Sequence, residues 1–185
     1  SSGLLATRLG GPSVFPPQPS SVAALAYGRS NWKNSTGADR YRRSLYTFNK
    51  RTAPFAAYTT FDGPTGENCI VRRNRSNTPL QALILLNDEM FLEMARALAA
   101  RVKETGFDSD EERLRVLFRQ LLTRPPAPEE LAAIAKFREA QLERLRNGQL
   151  DAAKIGGTKK PDVQLASWVM VARSLMNLDE VIVRH

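Results

Sequence analysis

The sequence predicts a mainly α fold: a helical bundle of about five to six helices preceded by an irregular, Pro/Gly-rich N-terminal arm. Three observations predict it. Helix-capping patterns recur beyond residue 77, apolar residues there repeat at helical spacing, and prolines, glycines and serines crowd the first 37 positions.

Along residues 1–37, Pro12, Pro16, Pro17 and Pro19 exclude regular structure around them and favour extended backbone before each ring. The short apolar run "VAALAY" has room for two helical turns. A solvated linker is poor in large apolar groups, and Val14, Phe15, Leu25, Tyr27 and Trp32 are too many for one, so an ordered arm lying across the body is expected. The next segment, "DRYRRSLYTFNKR" at 39–51, places Tyr41, Leu45 and Phe48 at i, i+4 and i+7. That spacing predicts an amphipathic helix docked by an aromatic stripe and ended by Pro54. Gly63, Pro64 and Gly66 then mark a loop, with room for one short strand around 69–72.

From Thr78 the punctuation is local and clear. "TPLQ" offers Thr78 as N-cap, Pro79 in the first turn and Gln81 to close a capping box. Apolar spacing continues to Gly106, as one helix or as two meeting near Asn87. "SDEE" at 109–112 is a second box, and Leu114, Leu117, Phe118, Leu121 and Leu122 form its stripe. Prolines 125, 126 and 128 separate that helix from the next, whose Glu129 and Glu130 complement the positive end of the helix dipole. It runs to about Arg146 and yields to a polar loop. The last helix, about 162–177, is apolar nearly all round and is expected at the bundle's centre.

With 185 residues the chain has the length of one domain, read as arm (1–37), basic helix and loop (38–77) and helical body (78–185). It begins without a methionine, in a run like mid-protein loop, and is expected to be the C-terminal part of something longer. The lone Cys69 has no partner for an internal bridge. No stretch approaches the roughly 20 apolar residues of a membrane helix, and no charged segment followed by an apolar one marks a signal peptide. The net charge of +8 is uneven: residues 29–75 hold ten Lys/Arg against three Asp/Glu, residues 76–185 hold sixteen of each, and Arg8 supplies the rest.

The phrases "RRSLYTFNKRTAP", "TTFDGPTGENCIVRRNRSNTPLQALILLND" and "SWVMVARSLMNLDE" together resemble one family, as do the earlier "SGLLATRLGGPSVFPPQP" and "YGRSNWKNSTGADRYRRSLY". It is the domain of unknown function number fifteen fifty-three, found at the C-terminal end of planctomycete cytochrome-c-containing proteins. The resemblance implies an exported, periplasmic or cell-surface, multi-domain protein with an upstream domain that often carries haem c. The haem-attachment pattern C-x-x-C-H is absent here, because Ile70, Val71 and Arg72 follow Cys69, so no cofactor is expected in this chain. Its expected partners are upstream domains or other subunits of the same protein.

Catalytic inventories are nearly empty. The only histidine is the terminal His185, which argues against histidine-based triads and metal sites, and one cysteine cannot build a zinc site. No phosphate-cradling glycine motif occurs. Asp62 and Glu67 flank "GPTG" and invite two readings, a carboxylate pair or partners for nearby arginines. Cys69 reads as a small buried hydrophobe rather than a reactive thiolate. The basic segment supplies the ligand candidates: Arg72, Arg73, Arg75, Arg42, Arg43, Lys50 and Arg51, with Trp32 as a stacking platform. Three readings of it stay open: arginines clipping backbone carbonyls, a site for sulfated or carboxylated polysaccharide, or part of an active site completed upstream. Nucleic acid is not expected, for want of a recognition signature and because the resemblance implies export.

Overall fold

The computed structural model describes residues 1–18, 32–50, 54–64, 69, 71–72 and 75–183. The described residues are mainly α-helical, with two isolated parallel β-bridges and no sheet. The chain divides into two compact units, Leu4–Gln81 and Ala82–His185 with Ser1–Gly3.

In the first unit the arm is pinned by backbone pairing. Ala6 bridges Arg42, and Val14 bridges Thr47, with N–H···O bonds from Ala6 to Tyr41, from Val14 to Tyr46 and from Phe48 to Val14. This pairing overturns the helix expected over 39–51. Residues Gly37–Tyr41 and Ser44–Tyr46 form single 3₁₀ turns, and the chain between and after them is extended. An α-helix would turn the amides of this segment inward to its own carbonyls; here Val14 and Ala6 occupy those carbonyls instead, and tertiary pairing outweighs the apolar spacing. Leu45, assigned by that spacing to a core, is 84% exposed. Val14 is buried, while Phe15, Trp32, Phe48, Phe55 and Tyr58 build a continuous ring cluster with centroids 5.0–6.3 Å apart. One short helix, α1 (Ala56–Thr60), lies in the stretch expected to be loop. Leu25, Tyr27 and "VAALAY" fall outside the described residues.

The helices that follow are α2 (Pro79–Asn87), α3 (Glu89–Glu104), α4 (Asp110–Leu122), α5 (Pro128–Arg146), α6 (Ala152–Gly156), α7 (Val163–Met176) and α8 (Asp179–Ile182). The expected capping box starts α2: the Thr78 N–H donates to Gln81 Oε1 at 2.8 Å, and the Gln81 N–H donates to Thr78 Oγ1 at 3.3 Å. The long apolar run is two helices. Asp88 separates them, adopting extended backbone and accepting from the Met90 N–H at 2.9 Å as the N-cap of α3. Ser109 caps α4 in the same way. The polar loop before α7 holds the short helix α6, whose carbonyls at Lys154 and Ile155 accept from the Arg96 guanidinium. Gly157 closes α6 at φ +70°, and a Cβ there would lie 2.7 Å from Arg96 Nε.

The core of the second unit joins α3, α4, α5 and α7 through Ala95, Leu98, Val102, Leu117, Phe118 and Trp168. As its all-round apolar surface predicts, α7 is the central helix, packed on α3, α5 and α6 and touching α4 and α8. One buried guanidinium is tied into this core through its terminal nitrogens. Arg138 is buried, donating to Asp110 at 2.6 Å and Gln164 at 2.9 Å, and its guanidinium lies 4.2 Å from the Trp168 ring centroid.

Candidate functional site

The basic unit Leu4–Gln81 carries eleven Lys/Arg against three Asp/Glu, which equals the whole net charge of the chain. Its organising residue is Arg42. The two bridges place it beneath the arm, where it is 6% exposed, and its Nη2 donates to the carbonyls of Arg8 at 2.9 Å and Gly10 at 2.6 Å. Its guanidinium carbon lies 3.6 Å from the Tyr46 ring centroid. Tyr46 Oη in turn accepts from the Gly10 N–H at 2.9 Å. A guanidinium fork suits this role because its donors spread in one plane while one face remains free to stack. Loop 8–11 and the turn Ser44–Tyr46 are thereby fastened side by side.

A second fastening holds the loop that carries Arg75. Asp62, at φ +55°, accepts from the Ser76 N–H at 2.7 Å and from Ser76 Oγ at 2.9 and 2.8 Å, so both carboxylate oxygens are engaged. Gln81 is 1% exposed and donates through Nε2 to the Thr60 carbonyl at 2.8 Å and to Ser76 Oγ at 3.0 Å. Tyr58 Oη donates to the Ser44 carbonyl at 2.7 Å, which ties α1 to the turn that follows Arg43. The segments bearing Arg43 and Arg75 are therefore both anchored to α1.

Among the candidate residues, Arg43, Arg72 and Arg75 are exposed and Lys50 is half-buried. Trp32 is half-buried within the ring cluster and donates from Nε1 to the Pro16 carbonyl at 3.0 Å, so its indole is a structural group. Arg51, Arg73 and Glu67 lie outside the described residues, as does His185. Cys69 is exposed, contrary to the buried position expected for it. Its described neighbours Val71 and Arg72 are exposed as well, in a bend and not a strand, so no core is at hand to receive the thiol. Tyr46, Ser76 and Gln81 were missed as network residues; the one signal in the sequence was the capping box, which placed Gln81 but not the reach of its amide. Among the described residues, no three His, Cys, Asp or Glu side chains come together in a metal-binding group, and no helix is long and apolar enough to cross a membrane.

A mainly helical module with a basic, arginine-fastened unit at its N-terminal side is the class of protein that this fold and site define. The chain belongs to the family described as PSD1, protein of unknown function (DUF1553), whose model matches residues 1–138. Comparison with curated proteins gives no match, and neither does comparison with solved structures.

Proposed function

We propose that this chain is a non-catalytic contact module, the C-terminal part of an exported, haem-associated multi-domain protein, and that its basic unit binds an acidic partner. The observation that carries the reading is a division of labour among the charged groups. Arg42 and Asp62 are occupied by backbone carbonyls and by Ser76, whereas Arg43, on the turn tied to α1, and Arg72 stand exposed. Exposed guanidinium groups on a fixed frame meet sulfate, phosphate or carboxylate with little ordering cost. Export and any haem c in an upstream domain come from the family resemblance. Acidic polysaccharide, upstream domains and other subunits of the same protein are among the partner classes that fit an exposed basic unit.

The test is binding to heparin and to a carboxylated glycan at low and high salt, for the parent and for Arg43→Ala/Arg72→Ala/Arg75→Ala, with thermal melting alongside. Salt-sensitive binding that is lost in a variant melting like the parent is the expected outcome. A variant that melts far below the parent, with no glycan binding by either protein, would return these arginines to a structural role.

A further inference from the structure

We propose that the partner of the unit Leu4–Gln81 is the surface of an anionic lipid bilayer, with Leu9 and Leu45 entering the headgroup region and Arg8 and Arg43 meeting lipid phosphates. The inference rests on the acidic-partner reading above and names that partner's chemistry.

Its starting point is a pair of side chains that the fold leaves in water. Leu9 is 78% exposed and Leu45 is 84% exposed, although both belong to segments that Arg42 and Tyr46 fasten together. Arg42 holds the carbonyls on either side of Leu9, those of Arg8 and Gly10, and stacks on Tyr46, the neighbour of Leu45. The bond from the Gly10 N–H to Tyr46 Oη closes the same pair of segments from the other side. Both leucines therefore stand on one pinned platform, and each has an exposed arginine within two positions, Arg8 and Arg43. Arg8 also meets Asp39 at 3.1 Å in an exposed pair, a contact that competes weakly with a phosphate. Leu5, on the same arm, is 55% exposed.

Single exposed leucines are ordinary. Two on adjoining fixed tips, each flanked by a guanidinium and set in the unit that carries the whole net charge, are suited to a particular kind of surface. A sulfated glycan would engage the arginines and leave both leucines in water. A protein partner of high affinity usually receives aromatic anchors into a pocket, and the aromatic groups here, Tyr46 and Trp32, are half-buried and committed within the unit. An anionic bilayer offers both phosphate acceptors for the arginines and an apolar layer a few ångströms beneath them for the leucines.

The experiment is co-sedimentation of the full chain with vesicles of phosphatidylcholine alone and of equal parts phosphatidylcholine and phosphatidylglycerol, beside heparin binding. Expected are pelleting that requires phosphatidylglycerol, and a Leu9→Ser/Leu45→Ser variant that melts like the parent, binds vesicles about tenfold more weakly and keeps its heparin affinity. An independent probe is Leu45→Trp, whose added fluorescence should shift to the blue on the phosphatidylglycerol vesicles. Heparin binding without vesicle binding, or vesicle binding indifferent to the leucines with no shift from Leu45→Trp, overturns the lipid assignment and leaves the acidic-partner reading standing. Binding to neither overturns both.

Discussion

Arg42 and Arg72 carry the same side chain in opposite circumstances. Arg42 is buried and donates to the carbonyls of Arg8 and Gly10, whereas Arg72 stands exposed in a bend. Arg42→Ala should therefore lower stability by about 3 kcal/mol, since it strips charge-assisted bonds from two carbonyls at once. Arg42→Lys should recover little of that, because an ammonium lacks both the planar fork and the face that stacks on Tyr46. Arg72→Ala should stay within about 0.5 kcal/mol of the parent. Chemical denaturation of the three variants checks the ranking, and equal losses for Arg42→Ala and Arg72→Ala would dismantle it. The sequence shows that arginines cluster here, and it raises the clip reading for the cluster around Arg72. Which guanidinium is buried depends on a bridge between residues 6 and 42, far apart in the chain, so spacing alone could not pick out Arg42. The same kind of contact recurs in the second unit, where Arg96, Arg101 and Arg173 donate to the carbonyls of Ile155, Ser1 and Leu86. Arginine on carbonyl thus fastens irregular backbone at Arg8, Gly10 and Ser1 and the last turns of short helices at Ile155 and Leu86.

At the scale of elements, the legible parts were those whose signals are local. Ser109 and its stripe mark α4, the prolines with Glu129 and Glu130 mark α5, and the nearly all-round apolar run marks α7, because each of these signals lies at or within the helix it marks. The break at Asp88 was open in the sequence, where one helix and two fit equally well. Asp88→Ala should cost about 1 kcal/mol and Asp88→Asn much less, because asparagine also accepts from the N–H two residues on. Thermal melts of the two variants decide it, and equal losses would show that the cap is not what separates α2 from α3. A second prediction belongs to the start of α5. Arg124 is bidentate on Glu130, at 2.8 Å for each bond, and also donates to Glu180, while the Ala127 N–H donates to the same Glu130 carboxylate. Arg124 foremost, then the Ala127 N–H, holds Glu130 down to about 2, below its ordinary 4.5. A carboxyl whose folded pKa is depressed stabilises the fold fully above its unfolded value and loses that contribution as pH falls. Stability should thus decline between about 4.5 and about 2, and Glu130→Gln should flatten the decline. Asp162, lowered by the Leu165 N–H and by Lys103, contributes in the same direction, so the flattening should be partial. Melts from neutral pH down to about 2 supply the comparison, and identical pH profiles for parent and Glu130→Gln would remove Arg124 from the account.

For the whole molecule, charge and fold divide together. Residues 82–185 contain sixteen Lys/Arg and sixteen Asp/Glu, and they hold the core that joins α3, α4, α5 and α7. Many of those charges meet in pairs: Lys103 with Asp162, Arg115 with Glu111, Arg138 with Asp110, and Arg124 with Glu130 and Glu180. An interior of this extent, with capped helices on its rim, supplies what independent folding requires. A fragment of residues 82–185 should therefore give a helical circular-dichroism spectrum and a cooperative melt. Lacking the net charge, it should pass through a heparin column that retains the full chain at low salt. Retention of both proteins would place polyanion binding in the balanced helical body, against the proposed function. Passage of the fragment with retention of the full chain would assign that binding to the residues before position 82, where Arg43, Arg72 and Arg75 stand.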